Sequence, residues 1–297
     1  GTMQVDGVLS GSAVTVQGGT LSGAGSVGDV TNNATVMPGT TGTLGTLHAA
    51  SYTGSATGTL QINAHPDTVS ASALSVSGTA TLTGSKLFFK NNSLLLPGQS
   101  YTIVQAGALS GTFASVLTLK PPSLSVFIDY GMITPNAVTL TFDRGYAIGG
   151  TINGASGPVS LRLDGANPAS TQTQSASNGN FTFTNVLRQG SNWSVSVASA
   201  PSGQACSVSN GSGSGLSGDV GNVTVDCGTG YGVTASVAGG HGTITPASQG
   251  IISGNAASFT VTPNAGFEVL SVTGDTCAIA QQGTSTTWTT NAITQAC

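Results

Sequence analysis

The carboxylates and cations of the first half are the residues whose chemistry could cleave a polysaccharide, because glycoside hydrolysis uses two carboxylates within reach of one bond. These residues are Asp6, Asp29, Asp67, Asp129 and Asp143, with the bases Lys86, Lys90, Lys120 and Arg144. They form no local cluster, whereas active sites combine several convergent titratable groups. Stacked strands can bring distant residues together, so spacing alone does not exclude cleavage. We predict that these groups are solvated turn residues and that no residue is catalytic.

Metal and cofactor sites are also not predicted. His48, His65 and His241 are isolated in the sequence, and a metal site needs three or four ligands. The Gly-Gly-x-Gly-x-Asp repeats of calcium-binding β-rolls are absent. The many Gly-x-Gly strings have no following helix to hold a phosphate. We therefore expect surface histidines and no cofactor.

Four cysteines lie in two locally spaced pairs, Cys206 with Cys227 and Cys277 with Cys297. None has the C-x-x-C spacing of zinc or redox sites. Of the three possible connectivities, the local one is favoured because each pair lies within one proposed module. Closing a loop of about twenty residues stabilises a small module by roughly 3 kcal/mol. Two disulfides would indicate an oxidising compartment.

The two tryptophans lie in different patterns. Trp193 alternates with Val195 and Val197, which predicts a core position on a strand. Trp288 lies among polar residues in TSTTWTTNA and could be an exposed platform on which a sugar ring stacks. The alternative is a half-buried cover for the last module, which we favour because large aromatic side chains are usually mostly buried.

The composition predicts a folded β protein. Of 297 residues, 44 are glycine, 38% are hydrophobic and only 5% are charged, with a net charge of −4. Disordered chains combine low hydrophobicity with high net charge, which is not the case here. The six cations are scattered, so no nucleic-acid partner is expected. No apolar run approaches the length of about eighteen residues that a membrane span needs.

Residues 7–45 set short alternating runs of Val, Leu and Ala against Gly-Ser-Asn-Thr turns about every ten residues, without a helical period. This pattern predicts stacked β-coils, in which each coil buries its inward residues against the next. Asn32-Asn33 fits a corner where an asparagine adopts the left-handed conformation. The β pattern continues with less regularity to residue 145, so we predict a solenoid domain over 1–145.

Several strings of this domain carry a resemblance to a known family: GGTLSGAGSV (18–27), GTL (58–60), PGQSYTI (97–103) and LSGTF (109–113). Their succession resembles the C-terminal end of an autotransporter passenger domain. The resemblance implies a right-handed parallel β-helix with a cap, secreted and exposed at a bacterial surface.

The pattern changes near residue 145, and six or seven short strand signals separated by turn clusters follow over residues 146–227, which predicts a β-sandwich. The strings GGTINGASG, SNGNFTF, WSVSV, PSGQACSVSNGSG and NVTVDC resemble an immunoglobulin-like repeat of bacterial surface proteins. The resemblance implies a β-sandwich.

Residues 228–297 contain GHGTITPAS and ASFTVTPNAGFEVLSV. These strings resemble an internalin-type B repeat, a small β-rich module. A further strand of the family pattern is missing after Cys297, so we expect this module to be truncated.

The sequence thus predicts an all-β fold in three modules: a parallel β-helix with a cap, an immunoglobulin-like sandwich and a small repeat module. We expect a non-enzymatic bacterial surface or secreted protein that acts in adhesion, with host or environmental surface glycans or matrix proteins as partners. Two alternatives remain open. The chain could be a stalk that presents a binding head elsewhere in the protein, or the β-helix could cleave a polysaccharide.

Overall fold

The computed structural model of the chain describes residues 1–166, 169–274, 276–279 and 286–297. Over these residues the protein is all-β, as predicted, with 29 strands, two short 3-10 helices and no α-helix. The fold divides into two compact units, residues 1–145 and residues 146–297. Each unit is described by itself.

The first unit contains fifteen strands and a 3-10 helix at Pro66–Thr68. The strands are β1 (Thr2–Gln4), β2 (Val8–Leu9), β3 (Val14–Val16), β4 (Thr20–Gly23), β5 (Ser26–Asn32), β6 (Thr35–Pro38), β7 (Thr46–Gly54), β8 (Thr59–His65), β9 (Ser70–Ala71), β10 (Ala73–Thr81), β11 (Lys86–Asn91), β12 (Gln99–Ser110), β13 (Ser115–Thr118), β14 (Ser125–Tyr130) and β15 (Ala137–Asp143).

The chain of this unit alternates between two sheets. The first sheet has the order β1-β4-β6-β8-β11-β13, with β9 beside β8, and the second has the order β14-β15-β12-β10-β7-β5-β2, with β3 beside β5. Neighbouring strands from β1 to β13 are parallel, apart from the short antiparallel β9. The last two strands, β14 and β15, are antiparallel and extend the second sheet beyond β12.

In-register stacking of apolar side chains builds the core between these sheets. In the first sheet one row contains Leu21, Val36, Leu60 and Leu87, which pair strand by strand and are almost fully buried. Because side chains alternate across a strand, the residues between them face outward. Each fully buried Leu or Val contributes about 1.5–3 kcal/mol of transfer free energy. The row therefore fixes the register of these strands and determines which side chains face outward.

Tight packing between successive strands requires glycine at Gly23, which has φ 110°. A Cβ atom there would collide with the carbonyl oxygen of Val5. Any other residue would have to move the backbone at Val5, which follows β1.

The chain does turn beside Asn32-Asn33, with a bend at residues 33–34 between β5 and β6, but the predicted left-handed conformation is wrong. The non-glycine residues with positive φ in the described chain are Val69, Asn136 and Asn210. Asn32 instead ends β5 with its side chain fully buried, and its Nδ2 donates to the Tyr52 hydroxyl (2.9 Å). Buried polar side chains are normally hydrogen-bonded, and the bond to Tyr52 satisfies the Asn32 amide inside the core.

The remaining strands belong to the chain from residue 145 onward, together with a 3-10 helix at Ala238–Gly240. They are β16 (Gly145–Tyr146), β17 (Ile148–Asn153), β18 (Val159–Ala166), β19 (Ala169–Ala176), β20 (Gly179–Thr182), β21 (Leu187–Arg188), β22 (Trp193–Ser199), β23 (Gln204–Ser209), β24 (Ser212–Gly213), β25 (Val220–Thr234), β26 (Gly242–Thr245), β27 (Ser248–Ile252), β28 (Ala256–Pro263) and β29 (Thr287–Ala292).

Two sheets surround one hydrophobic core in the first part of the second unit. Their strand orders are β20-β17-β25-β23 and β19-β18-β22-β24. Both sheets contribute to the core, with Ile152 and Val225 from one and Leu161 and Val195 from the other. The six strands predicted between residues 148 and 225 are all present, although β20 ends one residue before Phe183.

The strand β25 is fifteen residues long and continues through residue 227 without a break. Its first part pairs with β17 and β23, and its last part pairs with β27. A separate small hydrophobic cluster contains Val233 from the last part of β25 together with Phe259 and Ile293. The strands β26, β28 and β29 form a three-stranded sheet.

Candidate functional site

The outer face of the second sheet in residues 1–145 carries hydroxyl side chains in register. One row is Thr31, Thr53, Thr81 and Ser110, from β5, β7, β10 and β12. Inward neighbours such as Ala80 are buried, so strand alternation directs this row outward. We name this surface the hydroxyl face, which consists of Ser26, Asp29, Thr31, His48, Ser51, Thr53, Ser75, Thr81, Ser100, Thr102, Gln105, Ser110, Phe127, Thr139 and Thr141.

Cross-strand hydrogen bonds hold several of these side chains in place. The Ser51 hydroxyl donates to Asp29 Oδ1 (2.6 Å), which joins β7 to β5. The hydroxyl oxygens of Ser100 and Thr141 are 3.1 Å apart and join β12 to β15. Paired side chains on one face are the unit of sheet stabilisation, and they also present ordered hydroxyl groups to solvent.

One aromatic ring lies at the end of this face. Phe127 on β14 is half-buried and pairs with Thr141, whose hydroxyl contacts Ser100. An aromatic side chain beside hydroxyl groups offers an apolar plane and hydrogen-bonding partners together. This combination matches a sugar ring, which has apolar faces and a hydroxyl rim.

The hydroxyl face contains few charges. Its exposed ionisable side chains are Asp29 and His48, and Asp29 accepts a hydrogen bond from Ser51. Asp129, which pairs with Thr139 on the same face, is buried. A face of this composition suits an uncharged ligand held by many weak polar contacts. Each such hydrogen bond contributes only about 0.5–1.5 kcal/mol, so affinity must come from their number.

Two of the five carboxylates considered for catalysis have structural roles. Asp129 is buried and accepts hydrogen bonds from the backbone N–H groups of Met132 and Ile133, both at 3.0 Å. Asp143 is also buried, and its Oδ1 accepts the N–H of Arg144 (2.8 Å). The prediction that these two are solvated turn residues is therefore wrong, because backbone donors replace water as their partners.

The other three carboxylates are exposed. Asp6 accepts hydrogen bonds from Gln4 Nε2 (2.6 Å) and from the N–H of Ala24 (3.1 Å), and the Gln4 bond in particular lowers the pKa of Asp6. Asp29 belongs to the hydroxyl face, and Asp67 lies in the 3-10 helix after β8. In the described parts of the chain, no group of three or more His, Cys, Asp or Glu residues could hold a metal ion. His48 and His241 are exposed, and His65 is half-buried.

The structure forms the two disulfides that the local pairing predicts, Cys206–Cys227 and Cys277–Cys297. Cys206 and Cys227 are direct cross-strand partners on β23 and β25. The bond therefore ties together two neighbouring strands of one sheet. Disulfides of this kind persist in oxidising compartments.

Both tryptophans are buried. Trp193 is 8% exposed and belongs to the core of the second unit, as its alternation with valines predicts. Trp288 is only 5% exposed, and it pairs with Phe259 across β28 and β29. A stacking platform must open one ring face to solvent, so the sugar-stacking interpretation of Trp288 is wrong. Of the threonines around it, Thr287 and Thr289 are not buried, whereas Thr290 is buried on the same strand face and its hydroxyl accepts the N–H of Ala257 (2.9 Å).

The sequence pattern alone did not identify the hydroxyl face. Its residues are spread from Ser26 to Thr141, and the parallel register brings them together. No protein-family model matches the chain, and no curated protein shows significant similarity to it. Over the described residues, no helix is both long enough and apolar enough to cross a membrane.

Proposed function

We propose that this chain is part of an extracellular bacterial surface protein and acts, without catalysis, in adhesion or surface interaction. The observation that carries the proposal is the hydroxyl face, an ordered row of polar groups across β5, β7, β10, β12 and β15. Shallow, extended faces of this kind suit the many weak contacts of a glycan or a matrix protein.

The proposal includes a fold assignment for each module. We propose that residues 1–145 are the last coils and the cap of a right-handed parallel β-helix of the autotransporter passenger type. The alternation of the chain between two parallel sheets supports this assignment, and so do the antiparallel strands β14 and β15 at its end. We further propose an immunoglobulin-like sandwich for residues 146–227 and an internalin-type repeat for residues 228–297.

The two disulfides support a location outside the cytoplasm. Cytosolic thiols are kept reduced in most organisms, whereas secreted and surface proteins keep their disulfides. Secretion to the bacterial surface is the specific form of this location that the adhesion proposal requires.

A binding screen of the whole chain on arrays of glycans and matrix proteins tests the proposal. We expect saturable binding to at least one neutral glycan or matrix protein. Thr53→Arg and Thr102→Arg place a bulky charge on the hydroxyl face and should abolish that binding. Ser207→Arg, at an exposed strand position of the second unit, is the matched control and should bind like the wild type.

Circular dichroism first establishes that all three variants are folded. Binding that survives both hydroxyl-face substitutions would overturn the assignment of the site. The absence of any saturable binding by the folded chain would overturn the adhesion proposal and favour a stalk that presents a binding head elsewhere.

A further inference from the structure

A second surface with different chemistry lies on the outer face of the first sheet of residues 1–145. On β11 the side chains of Leu87 and Phe89 belong to the buried core. Strand alternation therefore directs Lys86, Phe88 and Lys90 outward, and both lysines are exposed while Phe88 is half-buried. Two cations thus flank one aromatic ring on a single strand.

The neighbouring strands extend this surface. Phe88 pairs with Gln61 on β8 and with Leu117 on β13. Leu117 is 63% exposed, which is unusual for a leucine within a sheet. We name this surface the lysine face, which consists of Thr59, Gln61, Lys86, Phe88, Lys90 and Leu117.

Hydrogen bonds fix the polar border of the lysine face. The Gln61 side chain donates through Nε2 to Asn63 Oδ1 (3.1 Å). Asn63 in turn donates through Nδ2 to the carbonyl oxygen of Thr40 (2.8 Å). The amide of Gln61 is therefore held beside Phe88 by contacts within the unit, and a ligand would not have to order it on binding.

The two lysines have no opposite charge to neutralise them. Residues 1–145 are described in full, and within them neither ammonium group forms an ion pair with a carboxylate. Because Lys86 and Lys90 are four residues apart on a strand, their Cα atoms are separated by about 13 Å. Only six of the 297 residues are lysine or arginine, so two unpaired cations on one strand form a distinct positive site.

We propose that the lysine face binds an acidic polysaccharide. Sulfate or carboxylate groups of the polysaccharide pair with Lys86 and Lys90, and a sugar ring between them lies against Phe88 and Leu117. The inference rests on the proposed function for its extracellular setting, but it uses a different face and a different ligand chemistry from the hydroxyl face.

Charge and shape favour this ligand over other polyanions. Nucleic-acid binding depends on many phosphate contacts, and two lysines supply too few. The aromatic ring and the leucine between the charges require an apolar surface on the ligand, and the ring faces of a sugar provide one. An acidic polysaccharide has both negative groups and apolar ring faces, and these can contact Lys86, Lys90 and Phe88 along the one strand β11.

Surface plasmon resonance of the whole chain on immobilised heparin tests the proposal, with neutral dextran as the uncharged probe. We expect saturable heparin binding that weakens as the NaCl concentration rises, because salt screens exposed charges. Lys86→Gln combined with Lys90→Gln should weaken it about tenfold. Phe88→Leu should weaken it several-fold and leave the salt dependence unchanged, because the substitution removes the ring and not a charge.

Arg144→Gln is the matched control, since Arg144 is an exposed cation of the same unit and lies outside the lysine face. It should leave heparin binding within twofold of the wild type. Equal weakening by Arg144→Gln and the lysine variant would overturn the proposal, because it would indicate general charge attraction. Absent heparin binding, or equal binding of dextran, would overturn it as well.

The same experiment separates this proposal from the proposed function. Thr102→Arg blocks the hydroxyl face and should not weaken heparin binding. Loss of array binding in Thr102→Arg with heparin binding retained supports both sites independently. Loss of heparin binding in Thr102→Arg would place both ligands on the hydroxyl face and overturn the lysine face.

Discussion

Two buried tyrosines in the core of residues 1–145 should respond differently to the loss of their hydroxyl groups. The Tyr52 hydroxyl accepts a hydrogen bond from Asn32 Nδ2 (2.9 Å), and both side chains are fully buried. The Tyr101 hydroxyl is also buried, but it has no hydrogen-bond partner among the described residues. Tyr→Phe removes one oxygen at each site and keeps the ring.

The structure gives the size and sign of each effect. In Tyr52→Phe the second N–H of Asn32 still bonds to the carbonyl oxygen of Thr59 (3.0 Å), but the first loses its partner inside the core. An unpaired buried donor costs about 1–3 kcal/mol, so the free energy of unfolding should fall by that amount. Tyr101→Phe removes a hydroxyl group that is already unpaired, and its ring keeps its contact with Phe89 at a centroid distance of 5.1 Å. It should be neutral or slightly stabilising.

The pH dependence adds an independent check. Burial raises the pKa of Tyr52 from 10.0 to about 12. A group whose pKa is raised in the folded state contributes stability below its unfolded pKa, and this contribution is lost as the pH rises from 10 to about 12. Phe cannot ionise, so the stability difference between the wild type and Tyr52→Phe should shrink over this range.

Urea unfolding followed by circular dichroism is the assay for both variants. Tryptophan fluorescence is unsuitable, because Trp193 and Trp288 both lie in the second unit. Equal destabilisation by Tyr52→Phe and Tyr101→Phe would refute the reasoning, and so would a Tyr52→Phe variant as stable as the wild type.

The remaining predictions concern a turn, a disulfide and an ion pair. Asp129→Asn should lower the urea midpoint, equivalent to about 1–2 kcal/mol, because one of the two buried carboxylate oxygens that accept the N–H groups of Met132 and Ile133 becomes an amide donor. An unchanged midpoint would contradict this role. The double variant Cys206→Ser with Cys227→Ser should lower the free energy of unfolding in urea by roughly 3 kcal/mol. Thiol labelling of both cysteines in the unreduced, unfolded wild type would contradict the disulfide. Arg162→Gln should raise the pKa of Asp164 in a carboxyl NMR titration, because the hydrogen bond from Arg162 is the main cause that lowers it. The stability that the ionised Asp164 side chain contributes is present above the ordinary pKa of Asp and is lost as the pH falls through the lowered value. An Asp164 pKa that does not change in Arg162→Gln would show that the exposed Arg162–Asp164 pair is not formed in solution.

Local patterns in the sequence are sufficient to predict the all-β fold class and the positions of many strands. Alternation around Trp193 and Val195 predicted a core strand, because strand burial has a period of two that is visible in the sequence. The polar strand β19 was not predicted, because its TQTQ run lacks the apolar alternation that marks a strand. The local sequence around Asn32 favours a left-handed corner, but its buried side chain forms a hydrogen bond with Tyr52, twenty residues away, which no local pattern contains.

The candidate sites depend on register, which local patterns do not contain. The row from Thr31 to Ser110 and the pairing of Gln61 with Phe88 exist only once strands from different parts of the chain align. The six cations are scattered along the chain as a whole, but Lys86 and Lys90 belong to one short strand. A period-two interpretation of KLFFK would have placed Lys86, Phe88 and Lys90 on one face.

The most direct test of non-catalytic binding is the size of a polysaccharide after incubation with the whole chain. Light scattering on a sizing column measures both complex formation and polysaccharide length, with heparin and the best neutral glycan from the array as probes. We predict larger complexes for the wild type and polysaccharide of unchanged length after the protein is removed. Progressive shortening of either polysaccharide, abolished by an Asp→Asn substitution at Asp6, Asp29 or Asp67, would contradict the account and show that the first unit is an enzyme.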